Sequence, residues 1–410
     1  MTDLCEDNIL IKYLPKFNSI ETASQALTYL PPISNINKNT SISNCSQNIL
    51  TLRQLHLPSK IGVNLLFKID AVLLNSYIQR NPNKTKVWSS IFGQNYMQHT
   101  LPIPPVLVIS VTGHAGVGKS AAIRHALSTY KQIISHSQFP NIIGAHTQVT
   151  WISVDVPSSG KSEDLARSLM QAWHDAYEKY EPGHSKRFED VLSGRRKDGI
   201  RLLDDWLQVA KSHFLGILHL DEVQNFFKLM TLAQRRKINT DDSFELSIAE
   251  DKCLKWILNL INSGEIPLIF SGTQDGINAF NKRFSTSQRI SGIGGFEITP
   301  FKSSNDPEYR QILLPLLLKY QYLPDKIQLT DELADLLIEL TGGIRRILIS
   351  LWMATQLEAL LNGERKLTIQ HFKKVFNKDF GELRPAINAL KSNRPRELRK
   401  FDDMMKNFNY

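Results

Sequence analysis

The stretch Gly113-His114-Ala115-Gly116-Val117-Gly118-Lys119-Ser120 constrains the fold more than any other part of the chain. It has the G-x-x-x-x-G-K-S spacing of a phosphate-binding loop, in which glycines let backbone N–H groups curl around a triphosphate. That chemistry needs a strand leading in and a helix leading out, because the helix N-terminus adds further N–H groups and a positive dipole end. Both flanks are present. Residues 106–111 are an apolar run, and Ala121-Ala122-Ile123-Arg124-His125-Ala126-Leu127 has helical character. The reading places the phosphates of ATP along the loop from Gly113 to Ala121. Lys119 reaches the β- and γ-phosphates, and the Ser120 hydroxyl reaches Mg²⁺.

What surrounds the loop sets the fold class. A β-branched run at 148–156 reads as a second strand, followed by a helix at 162–180. An amphipathic helix carrying Leu202, Leu203, Trp206, Leu207 and Ala210 leads to a buried strand at 214–220, which ends in Asp221-Glu222. A helix at 247–262, a short strand at 266–270 and a last strand at 295–299 complete the alternation. Strands alternating with helices at this spacing predict an α/β, doubly wound parallel sheet. Beyond Pro300 the pattern is all-helical, with helices expected at 306–320, 331–340, 344–361 and 369–377.

Ahead of the loop, residues 1–50 read as a flexible extension: a helical patch at 21–30 stops at Pro31-Pro32, and 34–48 is nearly all Ser, Asn, Thr, Lys and Gln. Ser59 is an N-cap signal for a helix whose Ile61, Leu65, Leu66, Ile69, Val72 and Leu73 share a face. Trp88, Ile91 and Phe92 read as packing residues. Residues 231–243 read as an exposed loop. The expected divisions are therefore 1–50, a helical segment at 51–100, the nucleotide-binding core at 101–300, a helical lid at 301–378 and a tail at 379–410.

Asp221-Glu222 closing an apolar strand has the form of a Walker B pair: Asp221 holds Mg²⁺ through water and Glu222 polarises the attacking water. The second acid points to ATP hydrolysis rather than to a kinase, and no acceptor-binding lid motif is visible. Thr273, or Ser271 two residues earlier, ends the strand expected beside the loop strand, where a hydroxyl can meet the γ-phosphate or its water. Thr341-Gly342-Gly343-Ile344-Arg345-Arg346 opens a lid helix and suits an arginine that reports nucleotide state, Arg345 being favoured by its spacing to the glycines. Arg283 or Arg289 could act on a neighbouring subunit's γ-phosphate.

Composition narrows the partners. Among 410 residues, Lys and Arg outnumber Asp and Glu by 49 to 40, a net charge of +9, which favours a polyanion, nucleic acid before membrane. Cys5, Cys45 and Cys253 are too few and scattered for a disulfide framework or zinc site, which points to a reducing compartment. No apolar run approaches the ~18 residues of a membrane span. With an acidic, unsignal-like start (Met1-Thr2-Asp3-Leu4-Cys5-Glu6-Asp7), the expectation is a cytoplasmic protein with no membrane partner. The basic cluster Lys186, Arg187, Arg195, Arg196 and Lys197 is the segment best suited to a DNA backbone, since few aromatics are interleaved. The tail from Arg384 to Lys406 is also basic.

Phosphate loop, Asp-Glu pair, polar strand end and Gly-x-x-Arg in a helical lid together resemble the AAA+ superfamily. A finer resemblance, over about residues 55 to 410, is to the TnsC/TniB family of transposition regulators. It is carried by His213-Phe-Leu-Gly-Ile-Leu-His-Leu-Asp-Glu-Val-Gln224, Ile269-Phe-Ser-Gly-Thr-Gln274, Phe380-Gly-Glu-Leu-Arg-Pro-Ala-Ile-Asn-Ala-Leu-Lys-Ser392 and Phe401-Asp-Asp-Met404. The resemblance implies homo-oligomeric rings (hexameric or heptameric) or filaments on duplex DNA, with transposase subunits and a target-selection protein or RNA-guided complex as partners. Replication-initiator or clamp-loader-like ATPases, and an ATP-gated scaffold that hardly hydrolyses, are the alternatives. Two positions depart from the family pattern. His219 replaces an aliphatic residue two before Asp221, facing the same side by strand alternation, and reads as a buried, hydrogen-bonded core histidine. Gln274 stands where many relatives have Pro.

Overall fold

The apolar runs before Gly113, before Glu222 and before Thr273 leave almost nothing polar for water on either face, which suits only strands covered by helices on both sides. The computed structural model describes residues 7–33, 41–92, 106–181, 186–194, 198–228, 247–284 and 294–392. In chain order its helices before the first strand are α1 (Ile9–Lys12), α2 (Ile20–Leu27), α3 (Ile42–Leu50), α4 (Lys60–Gln79) and α5 (Thr85–Ile91). The α/β part then runs β1 (Val108–Thr112), α6 (Lys119–Ser128), β2 (Ile133–His136), β3 (His146–Val149), β4 (Trp151–Asp155), α7 (Ser162–Tyr180), α8 (Glu189–Ser193), α9 (Gly199–Ser212) and β5 (Ile217–Asp221). It continues with β6 (Phe227–Lys228), β7 (Ser247–Ile248), α10 (Asp251–Ser263), β8 (Leu268–Gly272), α11 (Gln274–Phe284) and β9 (Gly295–Glu297).

The main sheet has the order β4-β5-β8-β1-β9, parallel throughout. Side chains leave it alternately to two cores. Val108, Leu218, Leu220, Leu268 and Phe270 pack with Leu165, Trp206 and Ile257 on the α7–α9–α10 face. Ile109, Val111, Ile217 and Ile269 pack with Leu65, Leu66, Ile69 and Ile123 on the α4–α6 face. A parallel arrangement brings the carboxyl ends of β1, β5 and β8 to one edge, where α/β folds bind ligands. The run at 148–156 is not one strand: it breaks at Thr150, whose hydroxyl donates to Lys131 O at 2.7 Å, so that β3 pairs antiparallel with β2 while only β4 joins the sheet.

The helical end comprises a π-helical turn (Glu308–Leu313) running into α12 (Leu314–Lys319), then α13 (Asp331–Thr341), α14 (Arg345–Leu361), α15 (Ile369–Asp379) and α16 (Arg384–Ser392). The expected helix at 306–320 is thus two pieces. Its own core, built on Leu333, Leu337, Leu348, Trp352 and Phe372, also takes in Ile49 and Leu52 from the N-terminal segment.

That last contact corrects the reading of residues 1–50 as a flexible extension where it covers 7–33 and 41–50; its residues 1–6 and 34–40 lie outside the described residues. Within the supposed linker, Ser41 caps α3, accepting from Asn44 N at 3.2 Å, and Cys45 and Ile49 are buried. Leu10, Ala23 and Leu27 are buried against the α4 side. Ser and Asn hid the helix because they favour turns, whereas here the sparse apolar residues fall on one face. Helix α4 begins after Ser59 as expected, with Ser59 Oγ accepting from Gly62 N at 3.1 Å. By length and composition it is the one described helix apolar enough to cross a membrane, but half of it is buried inside the fold. Phe92, expected to pack, is 70% exposed, although Trp88 and Ile91 are buried. The loop expected at 231–243 lies outside the described residues.

Beside β2 and β3 lies a ring cluster of Trp88, Phe139, Phe214, His136, His146 and His213, the last two stacked at 5.2 Å. Burial, and then the neighbouring His213, pushes His146 down to about 4, and burial also lowers His136 and His213. The unfolded chain takes up protons on these groups near 6.5, the folded chain at lower pH, about 4 for His146. Stability should therefore be full above pH ~6.5 and fall as pH drops toward about 4. His146→Gln, which keeps a donor for Ser212 O without a titratable ring, should flatten that dependence in urea unfolding followed from pH 7 to 4.

Candidate nucleotide site

The loop after β1 turns through Gly113, Gly116 and Gly118, at φ 151°, 82° and 104°. At Gly118 the left-handed backbone, not crowding, demands glycine, since a Cβ there would meet nothing within 4 Å. Ala115 packs into the lid core and Val117 into the α4–α6 core, so the loop is pinned on two sides. Lys119 is buried, its Nζ donating to Gly113 O at 2.8 Å and His114 O at 2.9 Å. The loop borders a cavity of about 690 Å³ whose wall includes residues 115 through 122. That size suits a nucleotide. Leu55, His56, Pro58, Gly62, Leu313 and Met353 also line it.

Asp221 and Glu222 reach this cavity from the end of β5. Asp221 is 2% exposed. Its Oδ1 accepts from Ser271 Oγ at 2.5 Å and from Glu222 N at 2.9 Å, and Ser120 also hydrogen-bonds the carboxylate. Burial alone would raise its pKa, but His219 beside it and these donors outweigh burial and hold the carboxyl below its usual range. Ser120 and Asp221 therefore offer a hydroxyl and an ionised carboxylate side by side, the hard oxygen donors Mg²⁺ prefers. Glu222 sits at φ 56°, ψ 40°, left-handed backbone that a non-glycine residue occupies at a cost of about 1–3 kcal/mol. This turn swings its carboxylate off the strand axis, where Gln224 Nε2 donates to Oε2.

His219 is fully buried and spans three strands. Its Nδ1 lies 2.8 Å from Ser153 Oγ and its Nε2 2.8 Å from Ser271 Oγ. Ser271 has one proton, and it goes to Asp221. The network therefore assigns the remaining protons: His219 Nε2–H donates to Ser271, and Ser153 donates to Nδ1. Burial pushes the imidazole down to about 4, so it is neutral at pH 7.

The hydroxyl in contact with Asp221 is that of Ser271, not of Thr273. Thr273 Oγ1 instead accepts from Gly276 N at 3.3 Å in the first turn of α11, and Thr273 N donates to Gln224 Oε1 at 3.2 Å. Arg345 lines the cavity but is turned to Glu308, with Nη2 donating to Oε2 at 2.8 Å and the guanidinium 4.8 Å over the Phe301 ring. Arg346 N donates to Gly116 O at 3.2 Å, which seats the start of α14 on the phosphate loop. Arg283 lies in the last turn of α11. Arg289, Arg195, Arg196 and Lys197 lie outside the described residues. Lys186 opens a short 3-10 turn, Arg187 in that turn is exposed, and α8 follows, so the expected polar connection carries helical turns anchored by buried Phe188.

Some site residues escaped sequence reasoning. Arg124, one turn after Ser120 on α6, pairs with Asp155 and lies 3.6 Å from Asp221. Asp155 ends β4 in register with Asp221, and the i, i+4 spacing of Ser120 and Arg124 was a usable signal. Gln224 and Glu308 had none: one is placed by the Glu222 turn and the other by the lid.

Residues 107–279 match the family model described as AAA domain. No curated protein sequence matches the chain. Among solved structures it is similar to Drosophila ORC bound to DNA, at TM-score 0.43 and 9% identity over 88% of this chain and 73% of that one. It is also similar to the Aeropyrum pernix ORC2 protein in ADPNP–ADP complexes, at TM-score 0.39 and 12% identity over 72% of this chain and 66% of that one. The parallel five-stranded sheet, its flanking helices and the helical region that follows form the AAA+ α/β fold.

His219→Leu, restoring an aliphatic residue, strips both Ser153 and Ser271 of a buried partner. It should cost about 1–3 kcal/mol in chemical denaturation. Unchanged stability would count against the three-strand network.

Proposed function

We propose that this protein is an ATP-hydrolysing switch that assembles on duplex DNA and regulates DNA transposition, linking target selection to the transposase. The observation that carries the hydrolytic part is the convergence of Lys119, Ser120, Asp221 and Glu222 on one cavity beneath a lid whose arginine, Arg345, lines the same space. The transposition part rests on the resemblance of residues 213–224, 269–274, 380–392 and 401–404 to TnsC/TniB regulators.

In this reading Lys119 leaves the carbonyls of Gly113 and His114 to meet the β- and γ-phosphates. Ser120 and Asp221 would hold Mg²⁺, which would neutralise charge on the phosphates. Glu222 takes a proton from the water whose oxygen attacks the γ-phosphorus, and ADP leaves as the bridging P–O bond breaks. Ser271 donates to Asp221 Oδ1 and Arg124 Nη2 lies 3.6 Å from Oδ2, so both help keep the carboxylate ionised for the cation it would hold. Arg345, exchanging Glu308 for the nucleotide, reports its presence to the lid, and Arg283 or Arg289 of an adjoining subunit stabilises charge on the transferring group. ATP then holds subunits together and hydrolysis releases them. Lys186, Arg187, Arg195, Arg196 and Lys197 face the DNA backbone, and the tail beyond 379 docks transposase.

Electron microscopy with duplex DNA should show rings or filaments with ATP and none with ADP. Failure to form them sinks the proposal. Lys119→Ala should abolish them. Glu222→Gln should lower turnover by roughly 10²- to 10⁴-fold while prolonging DNA-bound assemblies; unaltered turnover would indicate a scaffold instead. If each of six subunits neutralises ~2 phosphates, log affinity against log salt should slope by about −11, and charge reversal at Arg195, Arg196 and Lys197 should flatten it.

A further inference from the structure

The side chain of Gln224 is buried, yet neither end of its amide is idle. Nε2 donates to Glu222 Oε2, and Oε1 accepts from Thr273 N at 3.2 Å, where β8 passes into α11. The slot it fills is made by two glycines. A Cβ on Gly272 would come within 2.5 Å of Gln224 Oε1, and one on Gly276 within 2.5 Å of Gln224 Cβ and 2.9 Å of its Cα. The left-handed backbone at Glu222 turns the chain so that the residue two positions on can reach back to its carboxylate. A glutamine thus bridges the end of β5 and the end of β8 at the acid itself.

We propose that Gln224 is a positioning residue for Glu222: its amide fixes one carboxylate oxygen and with it the pose in which Glu222 receives the water's proton, and its carbonyl references that pose to the β8–α11 junction. Both ends are needed. The Thr273 N–H orients the amide, since an amide flipped end for end would set its NH₂ against a backbone N–H and its oxygen against a carboxylate. Movement of α11 relative to β5 is transmitted to the carboxylate through one side chain. The inference rests on the hydrolytic reading of Glu222.

Three variants test it in the full-length chain. Gln224→Met keeps the volume and loses both hydrogen bonds. Gln224→Glu keeps the acceptor for Thr273 N but sets a carboxylate against Glu222. Gly276→Ala favours helix by propensity yet displaces Gln224. All three should lower kcat by about tenfold to a hundredfold, the usual range for loss of an orienting partner, with Gln224→Glu worst. ATP affinity, measured with a fluorescent analogue, should stay within about threefold, and each variant should still unfold in one cooperative transition at a temperature well above that of the assay. In Gln224→Met, hydrogen exchange at the Thr273 amide should rise. Wild-type-like kcat in Gln224→Met and Gln224→Glu overturns the inference, as does a joint loss of kcat, ATP affinity and melting temperature, which would make Gln224 a structural brace. If the wild-type chain does not hydrolyse ATP, or Glu222→Gln turns over as fast as wild type, the reading of Glu222 fails and the role of Gln224 falls with it.

Discussion

A carboxylate buried at the carboxyl end of a central strand would ordinarily gain a proton, and the rest of the site depends on Asp221 not doing so. Ser271, Ser120 and the Glu222 amide all point hydrogen at it, and behind Ser271 stands His219, itself oriented by Ser153. Each donor comes from a different part of the sheet edge. The charge at Asp221 is therefore a property of the packed sheet, because only the parallel order β4-β5-β8-β1 sets those ends side by side.

The same edge explains how nucleotide state could be felt far from the phosphates. Gly116 O receives Arg346 N at the head of α14, and Arg345 is shared between Phe301 and Glu308. Glu308 in turn accepts from Lys60 N at 2.9 Å, at the start of α4. The C-terminal helices, the phosphate loop and the start of α4 are thus joined by a short chain of contacts, one of which, Arg345 to Glu308, competes directly with any anion that calls for the arginine. On the other side, Gln224 joins Glu222 to α11. Two hydrogen-bonded routes leave the cavity, one toward the lid and one along α11.

Local signals carried much of the architecture. The glycine spacing placed β1 and α6, the helix at 162–180 matches α7 end to end, and the apolar run before Asp221 gave β5. His219 was legible as a buried, hydrogen-bonded histidine from strand alternation alone. The failures share a cause. The helix at Ile42–Leu50 is stabilised by the distant lid core that takes Ile49, a contact no local window contains. The break at Thr150 and the seat of Gln224 likewise depend on partners far along the chain.

By itself, then, the sequence determined that this chain carries a phosphate-loop motif at Gly113–Ser120 between a strand and a helix of an α/β sheet, because spacing in a loop and periodicity in a strand are written locally. Which hydroxyl meets Asp221, where Arg345 turns and what holds Glu222 were decided only by the tertiary structure. Those are contacts between strand ends and helix starts brought together by crossovers. At such distances along the chain, residue type states what a side chain can do, and packing alone chooses its partner.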